Sequence, residues 1–245
     1  MTKEKLENFY RLKNEVPEYY CNRDPFLPEI QEILSSGFLF LLSDEDDESS
    51  RYFYFRCKPI DLSKFLFENL AKVCSMIVDV AYLENPHCST VKQYVICDME
   101  GTTMNHAALL TPTNIKNMVM CLQNGYPHNV QDFYLINCAA VYERILDIAR
   151  PIMGKKLSKK IHIYRENSID ELCNIVPYSI LPREYGGGGM SLNDLTEYSK
   201  KRVENFKDWF LEEDKYCLIE NKRIKDWGSS DAYGVDGSFR KLSID

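Results

Sequence analysis

The stretch of sequence that decides the fold reads VQDFYLINCAAVYERILDIAR and covers residues 130–150. Its first seven residues become apolar in their second half, which predicts a strand over Val130–Ile136. The following residues place Tyr142, Ile145 and Ile148 at helical spacing, with charged residues between them. A strand that leads directly into an amphipathic helix is typical of a crossover connection in a parallel sheet.

The sequence on both sides of this stretch predicts more elements of the same two kinds. The other predicted strands lie at residues 38–42, 52–55, 94–97 and 161–164. The other predicted helices begin at residue 2, at Asp24-Pro25, at Asp61, at Thr111-Pro112, at Ser168 and at Ser191. Strands separated by helices indicate an α/β fold with a mainly parallel sheet.

Composition and charge exclude several classes of protein. The chain has 245 residues, of which 44% are hydrophobic and 27% are charged, as in ordinary globular proteins. Its net charge of −7 argues against a protein that coats nucleic acid. The longest apolar run, residues 37–42, is far shorter than the ~20 residues that span a bilayer. We therefore expect a globular protein of the reducing cytosol that does not reside in a membrane.

Nine cysteines and four histidines raise the question of disulfides and metal sites. The sequence contains no CxxC pair, and its histidines share no metal-ligand spacing with one another or with cysteine. Cys97 and Cys138 lie within apolar strings, where a reduced thiol acts as a small hydrophobic side chain. The sequence therefore predicts no disulfide scaffold, no metal site and no cofactor.

Asp98 and Glu100 follow a predicted strand and are candidates for acid–base chemistry. A nucleophile motif of the G-x-S-x-G type does not occur in the sequence. A turn in which Asp98 bonds to local backbone is the interpretation we prefer. A hydrolase or redox enzyme that uses Asp98, Glu100 or a cysteine is the alternative.

A basic segment at residues 150–165 interrupts the acidic background. It contains six Lys and Arg residues and no Asp or Glu. Each basic side chain near an anionic bilayer contributes about 1 kcal/mol to docking. The candidate membrane contacts are Lys155, Lys156, Lys159 and Lys160. A solvated surface between a helix and a strand is the alternative.

Three motifs occur in an order and spacing that resembles a known family. They are Val95-Ile-Cys-Asp-Met-Glu-Gly101, then Tyr134-Leu-Ile-Asn137 with a helix ending at Arg150-Pro151, then Leu181-Pro-Arg-Glu-Tyr-Gly-Gly187. Together they resemble the CRAL-TRIO lipid-binding domain family, most closely its branch of alpha-tocopherol transfer protein, retinaldehyde-binding protein and clavesin. Arg23-Asp24-Pro25 and residues 237–242 also look like that branch.

The resemblance implies a CRAL-TRIO fold, in which helices flank a mixed, mostly parallel sheet and a lid helix covers a hydrophobic cavity. The lid corresponds to residues 139–153, with Tyr142, Ile145 and Ile148 on its apolar face. The implied regions are a shortened N-terminal helical module at 1–50, the lipid-binding domain at 51–200, and a C-terminal helix and tail at 201–245.

The resemblance implies an intracellular carrier that binds one tocopherol-, retinoid-, terpenoid- or phospholipid-like molecule and exchanges it at membranes, without covalent chemistry. The implied wall residues are Met104, Leu110, Met118, Cys121, Leu122, Tyr126, Val130 and Phe133. Ser75 and Asp79 are candidates for polar contacts with the ligand. An interaction scaffold that keeps the fold but has lost the ligand is a second alternative to a carrier.

The tocopherol branch also binds a phosphoinositide through four basic positions. Lys156 and Lys160 occupy two of these positions, whereas the neutral Asn129 and Gln131 occupy the others. The resemblance therefore implies transient contact with anionic membranes without a specific phosphoinositide pocket. We expect a cytoplasmic monomer that visits membranes and binds no nucleic acid.

Overall fold

The computed structural model describes residues 3–42, 50–58, 66–85, 90–125, 129–165 and 169–219. The strands are β1 (Leu39–Leu42), β2 (Ser50–Arg56), β3 (Lys92–Asp98), β4 (Val130–Ile136) and β5 (Ile161–Ile163). The helices are α1 (Lys3–Glu15), α2 (Pro17–Tyr20), α3 (Pro28–Ser36), α4 (Phe67–Glu84), α5 (Met104–Ala108), α6 (Pro112–Met120), α7 (Ala140–Ser158), α8 (Ile169–Ile175), α9 (Leu192–Asn205) and α10 (Lys207–Ile219). A π turn at Cys121–Gly125 follows α6, and a 3-10 turn at Arg183–Tyr185 precedes α9.

In the described part of the chain, one sheet has the strand order β1-β2-β3-β4-β5. β1 pairs with β2 antiparallel, and the three later pairs are parallel. α4 joins β2 to β3, α5 and α6 join β3 to β4, and α7 joins β4 to β5. Each parallel pair is thus connected by helices, as crossover connections require. The predicted α/β fold with a mixed, mostly parallel sheet is confirmed.

The strand register assigns the central side chains to two faces, because side chains alternate along each strand. The inner face consists of Phe53, Phe55, Val95, Cys97, Phe133 and Leu135. The outer face consists of Tyr52, Tyr54, Tyr94, Ile96, Tyr134 and Ile136. The side chains of adjacent residues therefore lie in two different environments.

The outer face is tightly packed toward the carboxyl ends of the strands. Tyr54, Ile96 and Ile136 are completely buried there. They share a cluster with side chains of α8, α9 and the segment between them, namely Leu172, Val176, Leu181 and Leu195. Farther along the same face, the stacked rings of Tyr52 and Tyr94 lie 5.0 Å apart between centroids. Burial on this scale makes the outer face a main core of the domain.

Helices α3 and α4 pack against the β1–β2 side of the inner face. Their buried contacts with Leu39, Leu41 and Phe53 come from Ile30, Ile33, Leu34, Leu70, Val73, Met76, Ile77 and Val80. Half-buried Val95 also packs against this cluster. The cluster therefore fixes α4 beside the inner face.

Helices α1 and α2 form a small cluster on α4 and the π turn. Leu12, Val16, Tyr19 and Tyr20 are its buried members. The approach is close, because a Cβ atom on Gly125 would lie 3.0 Å from the Leu12 Cδ2 atom. Glycine is thus favoured at this contact, which joins the N-terminal module to the end of α6.

The structure confirms several predicted helix boundaries. The hydroxyl groups of Thr111 and Ser191 each accept a hydrogen bond from the backbone amide three residues on. Gly37, with a φ of 69°, ends α3 as expected. The predicted strand Val130–Ile136 is also observed.

The predicted start of α3 at Asp24-Pro25 is wrong. The helix begins at Pro28 instead. Asp24 Oδ1 accepts a hydrogen bond of 2.9 Å from the Phe26 amide. This bond closes a local turn, so the Asp24 side chain does not cap the helix.

Some predictions about helix starts and region boundaries stay untested, and one predicted helix is longer in the structure. Asp61, Ser168 and residues 237–242 lie outside the described residues. The predicted boundary between residues 50 and 51 falls at the β1–β2 pair, and the division into three regions stays a prediction. α7 extends to Ser158, beyond the predicted lid.

Candidate ligand-binding site

The inner face remains partly accessible where the outer face is filled. Its residues on β3 and β4 are half-buried, although both strands have neighbours on either side. On the opposite face of the same strands, Ile96 and Ile136 are 0% exposed. Tyr94 and Tyr134 of that face are half-buried, so the contrast holds at the carboxyl ends of the strands. An interior strand can expose side chains only where the layer above it leaves space. On the inner face Val95 packs against the cluster of α4, and Leu135 packs against the cluster that contains Tyr142 of α7.

The predicted wall residues divide into three groups. The half-buried group comprises Leu110, Cys121, Leu122, Val130 and Phe133. Met104 and Met118 are 68% and 40% exposed. Tyr126 lies outside the described residues. Phe133 lies on the inner face itself, whereas Cys121 packs against the N-terminal cluster. Their role in binding stays a prediction.

The predicted lid, α7, does not bury its three predicted apolar residues equally. Tyr142 is buried with Ala107 and Cys138, and Ile145 is half-buried. Ile148 is 63% exposed, because the packed stripe continues through other positions. The stripe contacts Ile115 and Val119 of α6 through Ile145, Ala149, Met153 and Leu157. α7 therefore buries one stripe and presents Ile148 to solvent.

A break in α7 lies near its carboxyl end. Gly154 has a φ of 70° and a ψ of 166°, a conformation that favours glycine. Just before the break, the Met153 carbonyl accepts a hydrogen bond of 2.6 Å from Gln123 Nε2 of the π turn. This bond satisfies a carbonyl at a point where the helix is irregular. Gln123 thus ties the predicted lid to the end of α6.

Ser75 and Asp79 direct their polar atoms toward the N-terminal segment. Ser75 Oγ lies 2.9 Å from the Tyr19 carbonyl oxygen. Asp79 forms a buried ion pair with Arg23, whose guanidinium lies 5.1 Å from the Phe210 ring centroid. These contacts connect α4 with α2 and α10. A ligand contact by Ser75 or Asp79 stays a prediction.

Asp98 ties together the carboxyl ends of the central strands. Its carboxylate accepts hydrogen bonds from Tyr54 Oη at 3.0 Å and from Asn137 Nδ2 at 2.9 Å. It also accepts a bond of 3.0 Å from the Glu100 amide, the local turn that the sequence predicts. Burial and the nearby Asp98 charge raise the pKa of Tyr54. Glu100 itself is exposed and pairs with Lys58 at 2.6 Å. The hydrogen bonds from Tyr54 and Asn137 tie the end of β3 to β2 and to the residue that follows β4.

Comparison with known proteins identifies the family. The CRAL/TRIO domain matches residues 34–187, more than half of the chain. The chain belongs to the CRAL/TRIO domain family. The alpha-tocopherol transfer protein-like protein of Homo sapiens is 23% identical over 192 residues, which are 78% of this chain and 55% of that protein. Clavesin-2 of Rattus norvegicus is 22% identical over 160 residues, which are 65% and 48% of the two chains. The predicted family and branch are confirmed.

The fold of this CRAL/TRIO chain also resembles a solved structure. The crystal structure of Sfh5 matches it with a TM-score of 0.51 and 15% identity, over 85% of this chain and 74% of that chain. This likeness shows a shared fold. The chain spans about half the length of the curated relatives it matches.

The basic segment of this CRAL/TRIO chain contains the break in α7 at Gly154. Lys155, Lys156 and Lys159 are exposed. Lys160 is half-buried, and its Nζ donates a hydrogen bond to the Val130 carbonyl of β4. Three of the four predicted membrane contacts are therefore exposed, whereas Lys160 is hydrogen-bonded to β4.

Among the described residues, none of the helices is long and apolar enough to cross a membrane. The same residues contain no group of three or more His, Cys, Asp or Glu side chains that could hold a metal ion.

The sequence patterns did not identify several residues that lie on or beside the inner face. Val95, Leu135 and the thiols of Cys57, Cys74 and Cys97 were not among the predicted contacts. Strand alternation around Phe133 points to Leu135, because the two residues are two positions apart on β4. The proximity of the three thiols becomes evident only from the register between the strands and the position of α4.

Proposed function

We propose that this chain is a carrier that holds one hydrophobic small molecule against the inner face of the sheet. The observation that supports this function is the partial exposure of inner-face side chains on β3 and β4. An apolar ligand would replace water at these side chains. Burial of about 400 Å² of apolar ligand surface favours binding by roughly 10 kcal/mol at ~25 cal/mol per Å². The cost of immobilising the ligand reduces that value.

We propose further that the carrier exchanges its ligand at anionic membranes, through the outer side of α7. Ile148 and Ile152 are 63% and 42% exposed on this helix. Lys155 and Lys156 follow them and are exposed. Apolar side chains beside lysines form a surface suited to a bilayer with anionic headgroups. Docking there would bring α7 against lipid, which lowers the cost of moving it away from the inner face.

Binding is tested by native mass spectrometry of the protein purified from its own source, followed by extraction of the bound material. We expect one lipid-sized ligand per chain. The second arm measures binding to α-tocopherol, retinol, geranylgeraniol and phosphatidylcholine. Absence of a co-purified ligand together with no binding to all four compounds would support an interaction scaffold instead.

Membrane exchange is tested with Lys155→Glu/Lys156→Glu. Loss of two lysines at about 1 kcal/mol each predicts a reduction of at least about 30-fold in affinity for vesicles that contain phosphatidylserine, because the added carboxylates are also repelled. Ligand transfer to these vesicles should slow accordingly. The matched control is Lys201→Glu/Lys215→Glu, which makes the same charge change on exposed residues of α9 and α10. Equal transfer rates for the two variants would contradict docking through α7.

The observed contacts favour a carrier over the other two functions. The Asp98 carboxylate accepts hydrogen bonds from Tyr54, Asn137 and the Glu100 amide, which fits a structural group. Burial raises the pKa of the Cys57 and Cys74 thiols to about 12, which keeps them protonated at neutral pH. A scaffold without a ligand would be expected to bury Cys97 and Leu135 as completely as their sequence neighbours Ile96 and Ile136 on the outer face.

A further inference from the structure

Sulfur atoms gather at one end of the inner face. Cys97 lies on this face between Phe55 and Leu135 in the register. The Cys97 thiol interacts electrostatically with those of Cys57, just after β2, and Cys74 on α4. Cys57 Sγ lies 3.9 Å from the Met99 sulfur. We call Cys57, Cys74, Cys97 and Met99 the sulfur cluster.

The residues of the sulfur cluster are incompletely buried. All four of its residues are half-buried. Their positions after β2, on β3, after β3 and on α4 place them around the carboxyl end of the sheet. Phe55 and Leu135 extend the same surface with apolar side chains. A ligand lying on the inner face would therefore meet sulfur atoms at this end.

The sulfur cluster carries no charge at neutral pH. Burial raises the pKa of Cys57 and Cys74 to about 12 and raises that of Cys97 as well. A protonated thiol is a weak nucleophile, because the thiolate is the reactive form. The cluster therefore offers polarizable sulfur and is unsuited to covalent attack on a ligand. A charged ligand group there would lose its hydration without gaining an opposite charge from these four side chains.

We propose that the sulfur cluster is a subsite for the aromatic or conjugated part of an uncharged ligand. Contacts between sulfur and an aromatic ring are favourable, and each strengthens binding roughly two- to tenfold. A saturated chain of the same shape is stabilised only by removal of its apolar surface from water. This subsite rests on the proposed carrier function and specifies the ligand class that the carrier prefers.

The preference is tested with two probes that differ in one ring. Dodecylbenzene and dodecylcyclohexane share a carbon skeleton, and only the first has π electrons. Each displaces a fluorescent lipid from the protein in a titration. We expect dodecylbenzene to bind at least about fivefold more tightly. Equal affinities would overturn the subsite.

The sulfur cluster is then removed in Cys57→Ala/Cys74→Ala/Cys97→Ala/Met99→Leu. The affinity ratio of the two probes should fall to about one, while thermal unfolding checks that the variant is folded. Cys21→Ala/Cys173→Ala removes sulfur elsewhere and should keep the wild-type ratio. An unchanged ratio in a folded cluster variant would overturn the proposal.

A measurement on the unmodified protein covers the case of a variant that does not fold. Methyl methanethiosulfonate labels the thiols, and peptide mass spectrometry follows each cysteine with and without dodecylbenzene. Cys57, Cys74 and Cys97 should be labelled at least about fivefold more slowly when the probe is bound, whereas the exposed Cys173 should not change. Binding of dodecylbenzene without this protection would overturn the subsite alone. Failure of both probes and of all lipids to bind would overturn the carrier function with it.

Discussion

The two faces of the central strands are packed differently at neighbouring residues. Ile96 and Ile136 on the outer face are completely buried beneath α8, α9 and the segment between them. Cys97 and Leu135, each one position away, are only half-buried on the inner face. Dense packing gives a core its stability, whereas incomplete packing leaves space for a ligand. At the carboxyl ends of β3 and β4 the outer face is therefore filled, and the proposed binding rests on the incompletely buried inner face. Toward β1 and β2 the inner face is itself a core, built with α3 and α4.

The largest expected effect compares adjacent residues on β4. Ile136→Ala should lower the free energy of unfolding by about 3–4 kcal/mol, because it removes a completely buried side chain. Leu135→Ala should cost about 1–2 kcal/mol in the ligand-free protein, because its site is only half-buried. Urea unfolding of both variants measures the two values.

The same pair also separates stability from binding. Leu135→Ala should weaken binding of a hydrophobic probe, whereas folded Ile136→Ala should bind it as the wild type does. Equal losses of stability, or weaker binding only in Ile136→Ala, would contradict the contrast between the faces.

The next effect concerns the pH dependence of stability. The pKa values of Cys57 and Cys74 are raised by burial from 9.0 to about 12 in the folded chain. Between pH 9 and 12 the unfolded chain therefore loses these protons first, so stability falls as pH rises. Deprotonation of the two thiols in the unfolded chain should lower the free energy of unfolding by up to about 2–3 kcal/mol at pH 10, relative to neutral pH.

Urea unfolding at pH 7, 9 and 10 measures this loss. Cys57→Ala/Cys74→Ala should flatten the pH dependence, whereas Cys173→Ala, at an exposed position, should not. An identical decline in all three proteins would show that the inner-face thiols do not contribute.

The smallest expected effect concerns the break in α7. Gly154→Ala should cost about 1–2 kcal/mol, because its φ of 70° disfavours other residues and no atom lies within 4 Å of the added Cβ. Gly186→Ala is the matched control, with a φ of 81° and equally open surroundings. Thermal unfolding should show a loss in both variants.

Ligand exchange distinguishes these two glycines. Stopped-flow release of a fluorescent lipid should change in rate for Gly154→Ala and stay unchanged for Gly186→Ala. Similar rates in both variants would indicate that the break in α7 has no part in covering the inner face.

The sequence predicted the sheet well, because its strands have strong local patterns. The predicted strand Val130–Ile136 matches β4, and the predicted strand at 94–97 lies within β3. The caps at Thr111 and Ser191 were also predictable, since each depends on residues within one helical turn. Local signals of this kind need no tertiary structure.

Other features depended on contacts that a single sequence does not display. Asp24 resembles a helix cap, but its bond to the Phe26 amide closes a turn before the helix. Ile148 continues the helical pattern of Tyr142 and Ile145, yet α6 packs against Ala149 instead. The sulfur cluster joins three separate segments, so it emerges only from the register and the position of α4. The role of the candidate site residues stays a prediction.

The lengths of the outermost strands affect how the protein avoids aggregation. β1 has four residues and β5 has three, and both lie at the ends of the sheet in the described part of the chain. Lys160 immediately precedes β5, and Arg165 follows shortly after it. Short terminal strands next to basic side chains offer few backbone groups for pairing with another chain. The tyrosine-rich centre of the sheet is thereby kept away from intermolecular cross-β contacts.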